Sequence, residues 1–303
     1  MTAADDCVGL LFVLRGASSH DPGMATIAVL GTGLLGAAFV ENLLSKGHTV
    51  RVWNRTRAKL APLTAKGAVA AEDPADCARG ADRVHLVLAE DTAVDAVVEQ
   101  LLPGLGPDVP LIDFSTNLPA KVAARFARLR AEGVRYVSSP VFMAPKHARE
   151  GSGLIVMSGP KQDDADLRPA IEEMTGKFWY LGERVDLAAI YKLAGNSFFF
   201  AVTAALGDTL ALGRANGVDE SVMMELFQEF KPGSGLHNVH ERIATARDGV
   251  PSFEMTMAQK DARLTQEASG DQHLFVLPAV IASMQRGIDN GHGGADFAAF
   301  AQG

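Results

Sequence analysis

Residues 26–36 read TIAVLGTGLLG. Thr26 to Leu30 is a short apolar run with strand character, and the residues after Gly33 are apolar with helical spacing up to Lys46. Gly47 follows as a natural helix stop. Between strand and helix lies Gly31-Thr32-Gly33-Leu34-Leu35-Gly36, a GxGxxG pattern. Glycine spacing alone is weak in a glycine-rich chain. Placed after a strand and at the opening of a helix, it predicts a phosphate-cradling turn. The first glycine permits the tight turn, the second lets backbone approach a pyrophosphate, and the third lets helix and strand pack closely. Unpaired N–H groups at the helix N-terminus, with Leu34 and Leu35 in its first turn, would receive the phosphates.

Outward from that unit the pattern alternates. Strands are predicted at 49–53, 83–88, 111–114, 135–138 and 154–158, with at most a short one at Val69. Helices are predicted at 57–66, 73–78, 92–102 and 118–132. This rhythm implies a doubly wound, mostly parallel α/β sheet of Rossmann type. It stops near residue 185, where the domain boundary is expected. Residues 186–216 then form one proline-free helical stretch, apolar on most sides, which predicts a buried helix joining two domains or packing between subunits. Further helices at 219–230, 235–247, 256–268 and 278–289 make an all-α second domain. Residues 1–23 carry an acidic start, unlike a secretory leader, and are expected to be a disordered extension.

The 303 residues suit about two domains. A composition of 48% hydrophobic and 21% charged residues is that of an ordinary globular protein. The net charge of −8 argues against nucleic acid as a partner, and no unbroken apolar run reaches the ~18 residues of a bilayer span. Cys7 and Cys77 have no metal-like spacing, so a reduced, cytoplasmic protein is the simpler reading, although one disulfide is arithmetically possible. The expected partners are a small-molecule substrate and a second copy of the chain, as a homodimer or homotetramer, with no membrane.

The end of the second strand selects between dinucleotides. A carboxylate about 20 residues after the glycine turn would bind a ribose 2′-hydroxyl. Here the chain reads Trp53-Asn54-Arg55-Thr56-Arg57, with no acid. Arg55 can bind a 2′-phosphate, with Asn54 and Thr56 as donors, so NADP(H) is expected over NAD(H). The alternative for Arg55 is a solvated surface charge.

Lys192 and Asn196 are four apart and share a face of the long helix. On periodicity alone, such a lysine is as readily a side chain reaching past apolar neighbours to water. Carbonyl reduction by a nicotinamide cofactor does need a proton donor, and an ammonium can stabilise and protonate the developing alkoxide.

With these motifs in order, the sequence resembles the β-hydroxyacid dehydrogenase family, of 3-hydroxyisobutyrate dehydrogenase type, from residue 24 onward. GTGLLG with WNRT looks like its cofactor fingerprint in the NADP-using form. Residues 111–119 (LIDFSTNLP) resemble its segment ending in Ser-Thr, which would place Thr116 by nicotinamide and substrate. Residues 191–196 (YKLAGN) are similar to its catalytic helix, making Lys192 the proton donor and Asn196 a substrate ligand. Residues 259–261 (QKD) resemble its later Lys-Asp pair, with Lys260 near the cofactor. The resemblance places backbone at Leu88 and Ala89 by the nicotinamide ribose. Residues 139–144 read SPVFMA where the family has a small Ser-Gly-Gly stretch for a substrate carboxylate. Phe142 and Met143 should therefore line the substrate pocket and weaken carboxylate recognition. The expected activity is hydride transfer to or from a small aldehyde, ketone or β-hydroxy acid. Reduction of a C=N bond and a non-catalytic NADP(H)-binding module stay open as alternatives.

Other groups point to structure. His237 and His240 lack a third ligand, so no metal is expected. Asp208 and Asp261 read as structural acceptors. Glu90 and Asp91 read as solvated or as caps of the following helix. Lys146 and His147 could supply a replacement charge for a substrate carboxylate, with surface charge the blander reading. Phe198-Phe199-Phe200 reads as core or interface packing.

Overall fold

The computed structural model describes residues 24–302, and the expected extension 1–23 lies outside the described residues. Two compact units divide at Leu193/Ala194.

The first unit begins with β1 (Thr26–Leu30), α1 (Leu34–Ser45) and β2 (Thr49–Trp53). A 3₁₀ turn at Arg57–Leu60 runs into the single turn α2 (Ala61–Thr64), where one helix over 57–66 was expected. Then come β3 (Val69–Ala70), α3 (Pro74–Ala78), β4 (Arg83–Leu86), α4 (Asp91–Leu101), β5 (Leu111–Asp113), α5 (Pro119–Ala131) and β6 (Tyr136–Ser138). All six strands are parallel, in the order β3-β2-β1-β4-β5-β6. The order reverses between β1 and β4, which opens a crevice at the carboxyl ends of those two strands.

Alternation along the strands fills both faces, as a sheet covered on both sides requires. Ile27 and Val29 of β1 pack with Phe39 and Leu43 of α1. Ala28 and Leu30 pack with Val94, Val98 and Leu101 of α4. The carboxylate of Asp113, at the end of β5, is wholly buried, and burial pushes its pKa up despite its donors. It accepts from the Ser115 N–H (2.9 Å), Asn117 Nδ2 (2.7 Å) and the Tyr136 hydroxyl (2.8 Å). That shapes the loop carrying Thr116.

The strand expected at 154–158 corrects the single-sheet expectation. It forms β8 (Leu154–Met157) of a separate sheet, between β7 (Val141–Phe142) and β9 (Lys177–Tyr180). β7 runs antiparallel to β8 and β9 parallel to it, with Phe142 opposite Leu154. α6 (Pro145–Glu150) and α7 (Lys161–Glu172) fill the connections. α7 was not expected, because its sequence KQDDADLRPAIE is mostly polar and contains Pro169. Its placement comes from buried Leu167 and Ile171 and from ion pairs of Asp163 with Arg130 and Arg135.

α8 (Leu187–Ala215) crosses the division between the units. Its start is fixed to the small sheet. Ser158 Oγ, just past β8, accepts from the Ala188 N–H (2.9 Å) and donates to the Val185 carbonyl (3.2 Å). The second unit adds α9 (Glu220–Glu229), α10 (Leu236–Thr245), α11 (Met255–Ala268) and α12 (Leu277–Gly287). Met255, Ala258, Met284 and Ala298 are at the centre of its core. Asp208 accepts from the N–H groups of Phe275, Val276 and Leu277, which fixes the entry to α12.

Within the single chain the long helix is not buried. α8 is apolar nearly all round, yet Phe198, Phe199 and Phe200 are 53%, 67% and 65% exposed. Among the described residues α8 is the one helix long and apolar enough to cross a membrane, with an 18-residue window of mean hydropathy 1.3 that is only 11% buried.

Candidate active site

The glycine turn behaves as its spacing demands. Gly31 has φ +101°, and a Cβ there would lie 2.2 Å from the Val87 carbonyl oxygen. A Cβ on Gly36 would lie 1.9 Å from the Gly31 carbonyl oxygen, so α1 can sit this close only with glycine at that position. Gly33, the N-cap of α1, faces open space. Beside it Thr32 Oγ1 is buried without a hydrogen-bond partner among the described residues. A crowded turn, an open N-cap and an orphaned hydroxyl fit a bound diphosphate.

A cavity of about 400 Å³ opens at this turn. Gly31 and Gly33 line one part, and Asn54, Arg55, Thr56 and Lys59 another. Leu88, Ala89 and Glu90, after β4, also line it. Trp53 and one face of α4 (Ala93, Ala96, Val97, Gln100) complete it. Asn54 also braces the cavity from within: its Oδ1 accepts from the Thr32 N–H (3.1 Å) and its Nδ2 donates to the Thr56 carbonyl (3.0 Å). Arg57 is held bidentately by Glu72 (2.9 and 3.0 Å). Arg55 and Lys59 are in no ion pair among the described residues, so two cations line the cavity without a contacting carboxylate.

The loops after β4 and β5 are tied, since Ser115 Oγ accepts from the Leu88 N–H (2.9 Å). Thr116, next in line, is exposed. Leu34 and Leu35 stand in the first turn of α1, Leu34 largely exposed. Asp91 corrects the sequence reading, being neither solvated nor a cap. Its carboxylate pairs with buried Arg125 (2.9 Å) and accepts from the Leu118 N–H (2.9 Å), so α4 and α5 start from one clamp. His147 Nδ1 accepts from the Ala144 N–H (3.2 Å), and exposed Lys146 lies 4.0 Å from Glu150, so both serve α6.

The structure joins two of the residues singled out for substrate chemistry. Lys192 Nζ lies 4.5 Å from the centre of the Phe142 ring, and burial lowers the lysine pKa below its ordinary value. Met143 follows Phe142 directly and packs against the core. Asn196 is one turn further along α8, within the second unit. Lys260 lies on α11, 2.9 Å from the Asp261 carboxylate.

Residues 26–182 match the family described as the NAD binding domain of 6-phosphogluconate dehydrogenase. Residues 188–302 match the family described as NAD-binding of NADP-dependent 3-hydroxyisobutyrate dehydrogenase. The chain belongs to the β-hydroxyacid dehydrogenase family. Members of this dehydrogenase family are NAD(P)-binding oxidoreductases. A 3-hydroxyisobutyrate dehydrogenase of Pseudomonas aeruginosa is 26% identical, over 90% of this chain and 96% of that protein. Glyoxylate/succinic semialdehyde reductase 1 of Arabidopsis thaliana is 27% identical, over 90% and 96%. An imine reductase from Myxococcus stipitatus in complex with NADP⁺ shares the fold, with TM-score 0.81, 21% identity, and 91% and 99% of the two chains covered.

Sequence reasoning missed several lining residues of this dehydrogenase-type cavity. Lys59 stands four residues after Arg55, on a 3₁₀ turn that the predicted helix disguised. Ala93, Ala96, Val97 and Gln100 carry helical spacing along one face of α4, a signal that was present and unused.

Proposed function

We propose that the chain is an NADP(H)-dependent oxidoreductase that interconverts a small carbonyl compound and its alcohol, with Lys192 exchanging the proton. The observation that carries the cofactor choice is the pair of cations in no ion pair, Arg55 and Lys59, on a cavity that opens at the glycine turn. They suit a 2′-phosphate, and no carboxylate among residues 53–59 would accept from a 2′-hydroxyl. The N-cap at Gly33 and the hydroxyl of Thr32 would hold the diphosphate.

When bound, the nicotinamide supplies or receives the hydride. The protein handles the proton. Lys192 is half-buried, and its ammonium gives up a proton more readily than an exposed lysine would. In the reductive direction it donates to the developing alkoxide oxygen, and in the oxidative direction its neutral amine takes the hydroxyl proton. Asn196, on the same face of α8 one turn on, is the second group proposed to hold substrate. Phe142 and Met143 favour substrates with an uncharged, apolar flank. That wall also favours the second reading, reduction of a C=N bond. The same proposal includes self-association through the apolar surface of α8.

An NADPH-oxidation screen over glyoxylate, succinic semialdehyde, butanal and a cyclic imine tests the reading. Carbonyl turnover that falls at least a hundredfold in Lys192→Ala, with NADPH binding kept, is the expected result. Turnover of the imine alone would replace the carbonyl reading. NADPH binding with no turnover across the panel would point to a binding module.

A further inference from the structure

We propose that Phe142 is a positioning residue for Lys192, its ring face seating the ammonium so that the proton donor meets substrate in one orientation. The inference rests on the proton role of Lys192 argued above.

The seat is built from both sides. Phe142 ends the two-residue strand β7, locked to β8 by the pairs Val141–Ile155 and Phe142–Leu154. Val141 is buried in the core, and Phe142, on the alternate face, is half-exposed. Gly153, which leads into β8 at φ +98°, lets the segment close down, since a Cβ there would lie 2.7 Å from Met143 Cβ. Lys192 comes from the start of α8, and that start is tied to the other end of β8 by Ser158. The residue before it, Tyr191, packs edge-to-face on Trp179 of β9 (5.5 Å, 83°). Ring and ammonium therefore belong to elements anchored on one three-stranded sheet.

The chemistry favours this pairing. A lysine stem samples many rotamers, and the one that meets substrate must be selected from them. At 4.5 Å the ammonium is within the range at which the ring quadrupole attracts a cation. The attraction acts on the charged form only, so after proton donation the ring favours recapture of a proton at the same place. A leucine at 142 would supply comparable apolar contact and no such attraction. A tyrosine would keep the face.

The test uses the full chain labelled with ¹³C at lysine Cε. The Lys192 signal, assigned by its loss in Lys192→Ala, should be shifted upfield by the ring current in wild type and in Phe142→Tyr. It should return to the ordinary lysine position in Phe142→Leu. With succinic semialdehyde and butanal as probes, kcat should fall about tenfold in Phe142→Leu at unchanged KM for NADPH, and recover in Phe142→Tyr. A Lys192 signal indifferent to Phe142→Leu, or wild-type kcat in that variant, overturns the seat. Wild-type turnover in Lys192→Ala overturns the proton role instead. Because the resonance is read without substrate, the two failures are told apart.

Discussion

At the scale of single residues, the proposed preference for NADP(H) comes down to two side chains. Arg55 and Lys59 line the cavity with no carboxylate beside them among the described residues, whereas neighbouring Arg57 is neutralised by Glu72. A charge-assisted contact of this kind contributes about 1.5–3 kcal/mol. Arg55→Ala or Lys59→Ala should therefore raise KM for NADPH about tenfold or more, and because both cations would meet one phosphate the double variant should lose less than the sum of the two. KM for NADH should stay within about twofold, since that cofactor lacks the phosphate. Initial-rate measurements with both cofactors check this, and parallel losses for the two would contradict it. Lys192 gives a second expectation, in pH. Burial lowers its pKa, so the ammonium proposed as proton donor is lost as pH rises through a value below the ordinary ~10.4. Reductive kcat should fall along that limb and oxidative kcat should rise, as paired pH profiles would read. The glycines were legible in sequence because backbone conformation and close approach select glycine locally. Arg55 was legible because a missing acid is visible. Asp91 was not, because its partner Arg125 is 34 residues away and only tertiary packing brings them together.

Elements repeat that lesson one level up. β1, β4 and their helices were readable because their apolar runs sit in the centre of a doubly covered sheet. α7 and the short strands β7 and β9 were not, because long-range ion pairs and pairing with β8 hold them rather than a local period. The small sheet matters most for the site, since it carries Phe142 and anchors α8, and it was the part of the fold least visible in sequence. In the second unit, α12 depends on one side chain. Burial alone would raise the Asp208 pKa, yet bonds from the Phe275, Leu277 and Val276 N–H groups hold it below the ordinary carboxylate value. A depressed carboxyl stabilises the fold above its unfolded value, near ~3.9, and that contribution disappears as pH falls through the folded value. Asp208→Asn should thus cost about 1.5–3 kcal/mol at neutral pH. The gap from wild type should shrink below about pH 4. Denaturant titrations at both pH values measure it, and a gap that persists in acid would contradict the role.

For the whole molecule, the division between the units makes the proposed assembly separable from the proposed cofactor binding. Every residue lining the glycine-turn cavity belongs to the first unit. The exposed apolar surface belongs to α8 beyond Leu193, where Phe198, Phe199 and Phe200 lie open to solvent. Consecutive helical residues point about 100° apart, so three such rings cover most of the circumference and no single flanking element can shield them. Leaving the exposed part of each ring in water forfeits about 1–2 kcal/mol. The proposed second copy supplies the missing cover, and an exposed patch of this kind is a usual mark of an interaction surface. Replacing Phe199 and Phe200 together by Glu should convert the sedimenting species from an oligomer to the 32.0 kDa chain. NADPH affinity should change by less than about threefold, because the substitutions touch no cavity residue. Wild type sedimenting as a monomer would refute self-association. Recovery of wild type with the membrane fraction, and not of the double variant, would reassign the α8 surface to lipid.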